Sequence, residues 1–155
     1  MVPTRATADD APAVMLLIGR VFSEYGLLLM PVFEVPDLLQ FDAYYTAPRG
    51  AFWVIREETR VVGSVGVERL DAHTAELHRL YVDSTLRGRG LGQTLVETVL
   101  AWAREQGVRR LVLWSDTRFE TSHRLYRRLG FEQLGERTVE GDLNDSREYR
   151  FEREV

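Results

Sequence analysis

The stretch HRLYVDSTLRGRGLGQTLVETVL, residues 78–100, changes character twice. An apolar run of strand type stops at Asp83, a loop dense in arginine and glycine follows, and a helical pattern begins near Leu91. Residues 87–92 read Arg-Gly-Arg-Gly-Leu-Gly. Glycine is a poor helix former, so glycines at the mouth of a helix serve something other than helix stability. A strand, a glycine-rich turn and a helix N-terminus together make an anion site. The first helical amides have no partner inside the helix, and the macrodipole adds positive potential. Glycines let an oxyanion approach the backbone, and Arg87 and Arg89 can add charge-assisted hydrogen bonds. The Walker pattern G-x-x-x-x-G-K-[ST] is absent. The dinucleotide pattern G-x-G-x-x-G fails at Gln93 and would belong after a first strand.

Upstream, Thr7-Ala8-Asp9-Asp10 has the form of a helix start, with Thr7 as cap. Val14, Leu17, Ile18, Val21 and Phe22 then fall at helical spacing to about Tyr25. Pro36-Asp37 is expected to open a second short helix ending near Tyr45. Residues 51–70 read as two strands joined at Glu57–Arg60, with Gly63 and Gly66 marking a bulge or a close backbone approach. A short strand near residues 3–6 precedes them, and AELHRLYV (75–82) follows as the fourth. By period two, Glu76, His78, Leu80 and Val82 share one face of that strand, with Leu77, Arg79 and Tyr81 on the other.

Downstream, Leu91, Leu95, Val99, Trp102 and Ala103 line one face of a helix that Gly107 stops. RRLVLWS is a buried strand and TSHRLYRRLG a helix closed by Gly130. FEQLGERTV and REYRFEREV form an antiparallel pair around EGDLND. The order β-α-α-β-β-β-α-β-α-β-β predicts a mixed α/β fold of about seven strands with helices on both faces. It contains one right-handed β-α-β unit from the fourth to the fifth strand. Residues 1–155 are expected to form a single domain.

Composition narrows the function classes. Zero cysteines exclude disulfides, thiolate metal sites and a cysteine nucleophile, and three scattered histidines leave no histidine-rich metal site. A net charge of −4 argues against general nucleic-acid binding, as does the lack of aromatics among the arginines. No apolar run is long enough to span a bilayer, and the N-terminus lacks a signal pattern, so a cytoplasmic location is expected.

The spacing Arg87-x-x-Gly90-x-Gly92 resembles the acyl-CoA pyrophosphate loop, Q/R-x-x-G-x-G/A, of the GCN5-related N-acetyltransferases. LYVDSTLRGRGLG is similar to that family's pattern leading into its third helix, and Leu125-Tyr-Arg-Arg-Leu-Gly-Phe131 to its LY-x-x-x-GF. The resemblance implies acetyl-CoA as cosubstrate and no metal. It places oxyanion donors on the backbone of Leu80, Tyr81 and Val82, where a bulge splays the fourth strand from the fifth, and further cofactor contacts on Arg87, Gly88, Arg89, Gly90, Leu91, Gly92 and Gln93. Glu76 or His78 is implied as general base, and Tyr126 as the general acid beside the thioester sulfur. Phe119 and Ser122 stand where many members carry asparagine and alanine. The acceptor is expected to be the amine of a small molecule before that of a protein. It enters past the mixed aromatic and acidic stretches 25–45 and 140–146. A homodimer is left open, and an acyl-CoA-binding sensor of the same fold is the alternative function.

Overall fold

The computed structural model describes residues 1–155, and its seven strands form one mixed sheet in the order β1-β2-β3-β4-β5-β7-β6. The strands are β1 Thr4–Arg5, β2 Gly50–Glu57, β3 Arg60–Arg69, β4 Thr74–Val82, β5 Arg110–Asp116, β6 Glu132–Thr138 and β7 Arg147–Glu154. The helices are α1 Ala11–Glu24, α2 Pro31–Glu34, α3 Phe41–Tyr44, α4 Leu91–Glu105 and α5 Glu120–Arg128. Only β4 and β5 pair in parallel, as a crossover through α4 requires.

Each face of the sheet has its own core. Leu95, Val96, Val99 and Ala103 of α4 pack with Val65, Leu77, Leu113 and Phe151 of the sheet. Val14, Leu17, Ile18 and Val21 of α1 pack with Phe52, Val54 and Val61 on the other face. Each such valine, leucine, isoleucine or phenylalanine side chain contributes about 1.5–3 kcal/mol when fully buried. Thr7 caps as expected, closing a reciprocal capping box with Asp10 over a 3-10 turn at Ala8–Asp10 that leads into α1.

The expected helix from Pro36 to Tyr45 is not one helix. The segment holds α2 before Pro36, a 3-10 turn at Leu38–Gln40, and the single turn of α3. Asp37 caps nothing. Its carboxylate is buried and accepts hydrogen bonds from Arg79 and from the Tyr45 hydroxyl. A tertiary partner has overridden a local helix-start signal.

Strand β4 departs from its expected period at Arg79. Gly66 faces His78 across the ladder, but the next paired residue, Ser64, faces Tyr81, so β4 carries an extra residue. Arg79 takes φ 54°, a left-handed conformation that such bulges usually give to glycine. Period two is thereby broken. Tyr81, not Leu80 or Val82, joins Glu76 and His78 on the α1 side, and Leu80 and Val82 pack toward the α4 core. On β3, Gly66 is the close approach that the sequence suggested. A Cβ there would stand 2.7 Å from Phe52 Cδ2 and 2.8 Å from Tyr45 Cε1.

Candidate active site

Parallel pairing between β4 and β5 covers only Thr74–Glu76 against Arg110–Val112. Beyond Glu76 the strands part, and two clefts open into the gap. The Val82 carbonyl accepts from Arg87 in the following loop. The N–H and C=O of a strand residue point to the same edge, so the Val82 amide also faces the gap.

The first cleft is built on the glycine-rich turn. Gly88 and Gly90 have positive φ (80° and 76°), and no atom lies within 4 Å of a Cβ built on either. The first helical bond of α4 runs from Thr94 N–H to Gly90 O at 3.0 Å. The amides of Leu91, Gly92 and Gln93 precede it and have no helical acceptor. All three residues line the cleft, with Arg87, Gly88 and Gly90. Arg87 is committed within the protein. Its guanidinium donates to both Glu24 carboxylate oxygens at 2.6 and 2.8 Å and to Val82 O. Arg89 is exposed and outside the lining. Positive charge comes instead from Arg124 and Arg128, which with Thr121 and Leu125 present one face of α5. That i, i+3, i+4, i+7 spacing was a signal in the sequence, hidden by the equally good reading of a solvated face.

The second cleft gathers Glu76, His78, Tyr81 and Tyr126 with residues of the 30s and 140s. His78 Nδ1 lies 3.3 Å from Glu76 Oε2, and its Nε2 lies 3.2 Å from Glu68 Oε1. Glu68 also accepts from Arg49 at 2.9 Å. Hydrogen bonds from His78 and Arg49 hold the Glu68 carboxyl below its ordinary pKa against the effect of burial. The two candidate bases therefore touch each other, with Glu68 behind them. Glu68 was legible only as a strand residue, because β3 delivers it through pairing with β4.

Tyr126 is 4% exposed and packs against Phe131 and Phe151, with ring centroids 5.7 and 5.3 Å away, yet it lines the second cleft. Burial pushes its phenol above the ordinary range, with Tyr81 adding to the shift. Burial likewise pushes Tyr81 up to about 12. The Tyr81 side chain was not singled out by the sequence, since period two aimed it away from the bases.

Charge in the second cleft is lopsided. Arg79 is taken by Asp37 and Arg137 by Glu148, whereas Glu34 Oε1 and Asp142 Oδ1 are buried with no donor. Burial, then a hydrogen bond and repulsion from Asp142, raises Glu34 to about 7. Leu80, Tyr81, Phe119 and Ser122 line both clefts and mark their junction.

The family model described as "Acetyltransferase (GNAT) family" matches residues 20–131. An uncharacterized N-acetyltransferase of Escherichia coli strain K12, YjgM, is 33% identical over 84% of this chain and 81% of its own. N-acetylaspartate synthetase of Danio rerio is 37% identical over 64% of this chain, which spans only 36% of that relative. The crystal structure of an acetyltransferase from Streptococcus agalactiae 2603 superposes with a TM-score of 0.79 at 28% identity. That match covers 96% of this chain and 95% of the other.

Proposed function

Given that the chain belongs to the GNAT family and is an acetyl-CoA-dependent N-acetyltransferase, we propose that it acetylates the primary amine of a small molecule by direct transfer. The observation that carries this reading is the junction of the two clefts at the parting of β4 and β5. Acetyl-CoA enters through the first cleft, its pyrophosphate on the Leu91–Gln93 amides with Arg124 and Arg128 nearby. The acceptor enters through the second.

An alkylamine with a pKa near ~10.4 is neutral in only about one molecule in ~10³ at pH 7, so a base is useful. Glu76 or His78 takes the proton, directly or through water. The nitrogen lone pair forms the C–N bond, and the thioester oxygen takes up the negative charge. The gap-facing amides of the Leu80–Val82 stretch, that of Val82 foremost, stabilise that oxygen. The C–S bond then breaks as the carbonyl reforms, and the electron pair leaves on sulfur. Tyr126 donates its proton to sulfur and recovers one from the amine by way of the base and water, giving amide and free thiol. Its raised pKa keeps the phenol protonated until sulfur becomes charged.

A small cationic amine suits the second cleft, whose unneutralised charge is the Glu34–Asp142 pair. The name of the Danio rerio relative, a synthetase of a small acetylated amine, also supports a small acceptor. The test is release of free thiol from acetyl-CoA across a panel of small amines and peptides, alongside calorimetric titration with acetyl-CoA. Turnover with small amines is expected. Turnover with peptides alone would overturn the acceptor class, and tight binding with no thiol release from any amine would mark an acyl-CoA sensor.

A further inference from the structure

The bulge at Arg79 puts a side chain where the backbone favours glycine, and two other residues hold it there. A non-glycine residue at φ 54° is disfavoured by contact between its Cβ and its own carbonyl. The Arg79 side chain donates from Nε and Nη2 to the two oxygens of Asp37, at 3.1 and 2.6 Å. Its carbonyl accepts from the Ser64 hydroxyl at 2.7 Å. Ser64 is fully buried, Asp37 is 7% exposed, and the Tyr45 hydroxyl closes the back of the carboxylate. Burial alone would raise the Asp37 pKa, but Arg79 and Tyr45 outweigh it and hold it below the ordinary value. The strained residue is thus gripped at its side chain from the segment before α3 and at its carbonyl from β3.

The bulge ends the regular β3–β4 register just before Leu80, Tyr81 and Val82. Without the extra residue, Tyr81 would turn away from the bases and every amide beyond Arg79 would face the opposite edge. A regular strand would therefore withdraw the Val82 amide from the gap. Strain kept at a functional site persists only where surrounding contacts over-determine it, as they do here.

We propose that Asp37 and Ser64 are positioning residues, which clamp Arg79 in its left-handed conformation and so hold the β4 amides against the thioester carbonyl. Neither touches substrate. The proposal rests on the acetyl-transfer reading above, and it predicts that the clamp governs the carbonyl and not the rest of the cosubstrate.

The experiment compares wild type with Asp37→Ala, Ser64→Ala and the double variant Asp37→Ala/Arg79→Gly. It reads kcat, the Kd for coenzyme A, and the infrared carbonyl stretch of bound acetyl-CoA labelled with ¹³C at the acetyl carbonyl. Asp37→Ala is expected to lower kcat at least ~10-fold, the scale of one lost oxyanion donor or less. The Kd for coenzyme A, which has no thioester carbonyl, is expected to stay within about two-fold. The carbonyl stretch should move toward its value in water. Glycine adopts positive φ freely and leaves no orphaned guanidinium, so the double variant should recover most of kcat and the wild-type stretch. Ser64→Ala should shift the stretch in the same direction and serves where Asp37→Ala does not fold. Wild-type stretch and kcat in a folded clamp variant, or a folded double variant without recovery, would overturn the clamp. Failure of wild type itself to turn over would strike the acetyl-transfer reading instead.

Discussion

Glu24, the last residue of α1, holds the guanidinium of Arg87 with both carboxylate oxygens, at 2.6 and 2.8 Å. The first arginine of the glycine-rich turn thus braces the turn against α1 and against the Val82 carbonyl. What the turn would offer the proposed cosubstrate is chiefly backbone: free amides at the start of α4, behind glycines that leave the approach open.

Side-chain size at these glycines should therefore matter more than charge at Arg87. Gly90→Val forces a β-branched residue to φ 76° and fills open space, and a Cβ at Gly92 would already stand 3.1 Å from Leu125 Cδ2. Either valine is expected to raise the Kd for acetyl-CoA by more than ~10²-fold, while Arg87→Ala, which removes a partly exposed brace to Glu24, costs about 1 kcal/mol or less. Calorimetric titration checks both, and wild-type affinity in folded glycine variants would remove the cosubstrate from this cleft.

His78 Nδ1 lies 3.3 Å from Glu76 Oε2, so the base proposed above would be a shared one. Glu76→Gln is expected to lower kcat/KM by roughly 10²–10⁴ and to abolish the acidic limb of its pH profile. His78→Ala is the parallel test. If both variants keep the wild-type profile, the amine loses its proton by another route.

Tyr126→Phe retains the ring that packs on Phe131 and Phe151. An interaction made mainly in the transition state appears in kcat and not in binding. The expected result is a fall in kcat of roughly 10²-fold, with the acetyl-CoA Kd within a few-fold of wild type. Since burial raises this phenol, the wild-type kcat profile should show no basic limb from it in the ordinary working range. A phenylalanine variant with full turnover would make Tyr126 a core aromatic only.

Glu34 of α2 lies under the influence of Asp142 in the loop before β7, and this should give the fold a pH signature. Glu34 is raised from 4.5 to about 7, first by burial and then by Asp142, with Asp116 adding and Arg79 opposing. The folded state therefore binds the extra proton between those values. This contribution to stability is complete below about pH 4.5 and disappears as pH rises through about 7. Glu34→Gln carries a permanent donor toward Asp142, so its Tm relative to wild type should climb from pH 5 to pH 8. For a chain of this size each ~1 kcal/mol is worth about 2–4 °C. His123, whose pKa burial lowers, titrates in both proteins and cancels in the difference. An unchanged Tm difference across that range would show that no proton is shared.

The central strands, α4, α5 and the glycine-rich turn before α4 were legible in the sequence. Their signals are local: period two, period 3.6, and glycines at fixed offsets from a helix start. The same locality singled out Gly90, Gly92, Glu76, His78 and Tyr126 as candidates, and Gly66 as a close backbone approach. What lay beyond the sequence depends on pairing between distant residues. The resemblance implied a bulge in β4, but its place at Arg79 depends on Asp37 and Ser64, and that one extra residue carried Tyr81 to the side of Glu76 and His78 and Leu80 and Val82 away from it. Asp37 stood at an expected helix start, yet its carboxylate found a guanidinium 42 positions along the chain. Glu24 met Arg87 and Glu68 met His78 in the same manner. Periodicity records which face a residue prefers, but a buried charge takes whichever partner the fold brings near, because leaving it unpaired costs more than bending a strand.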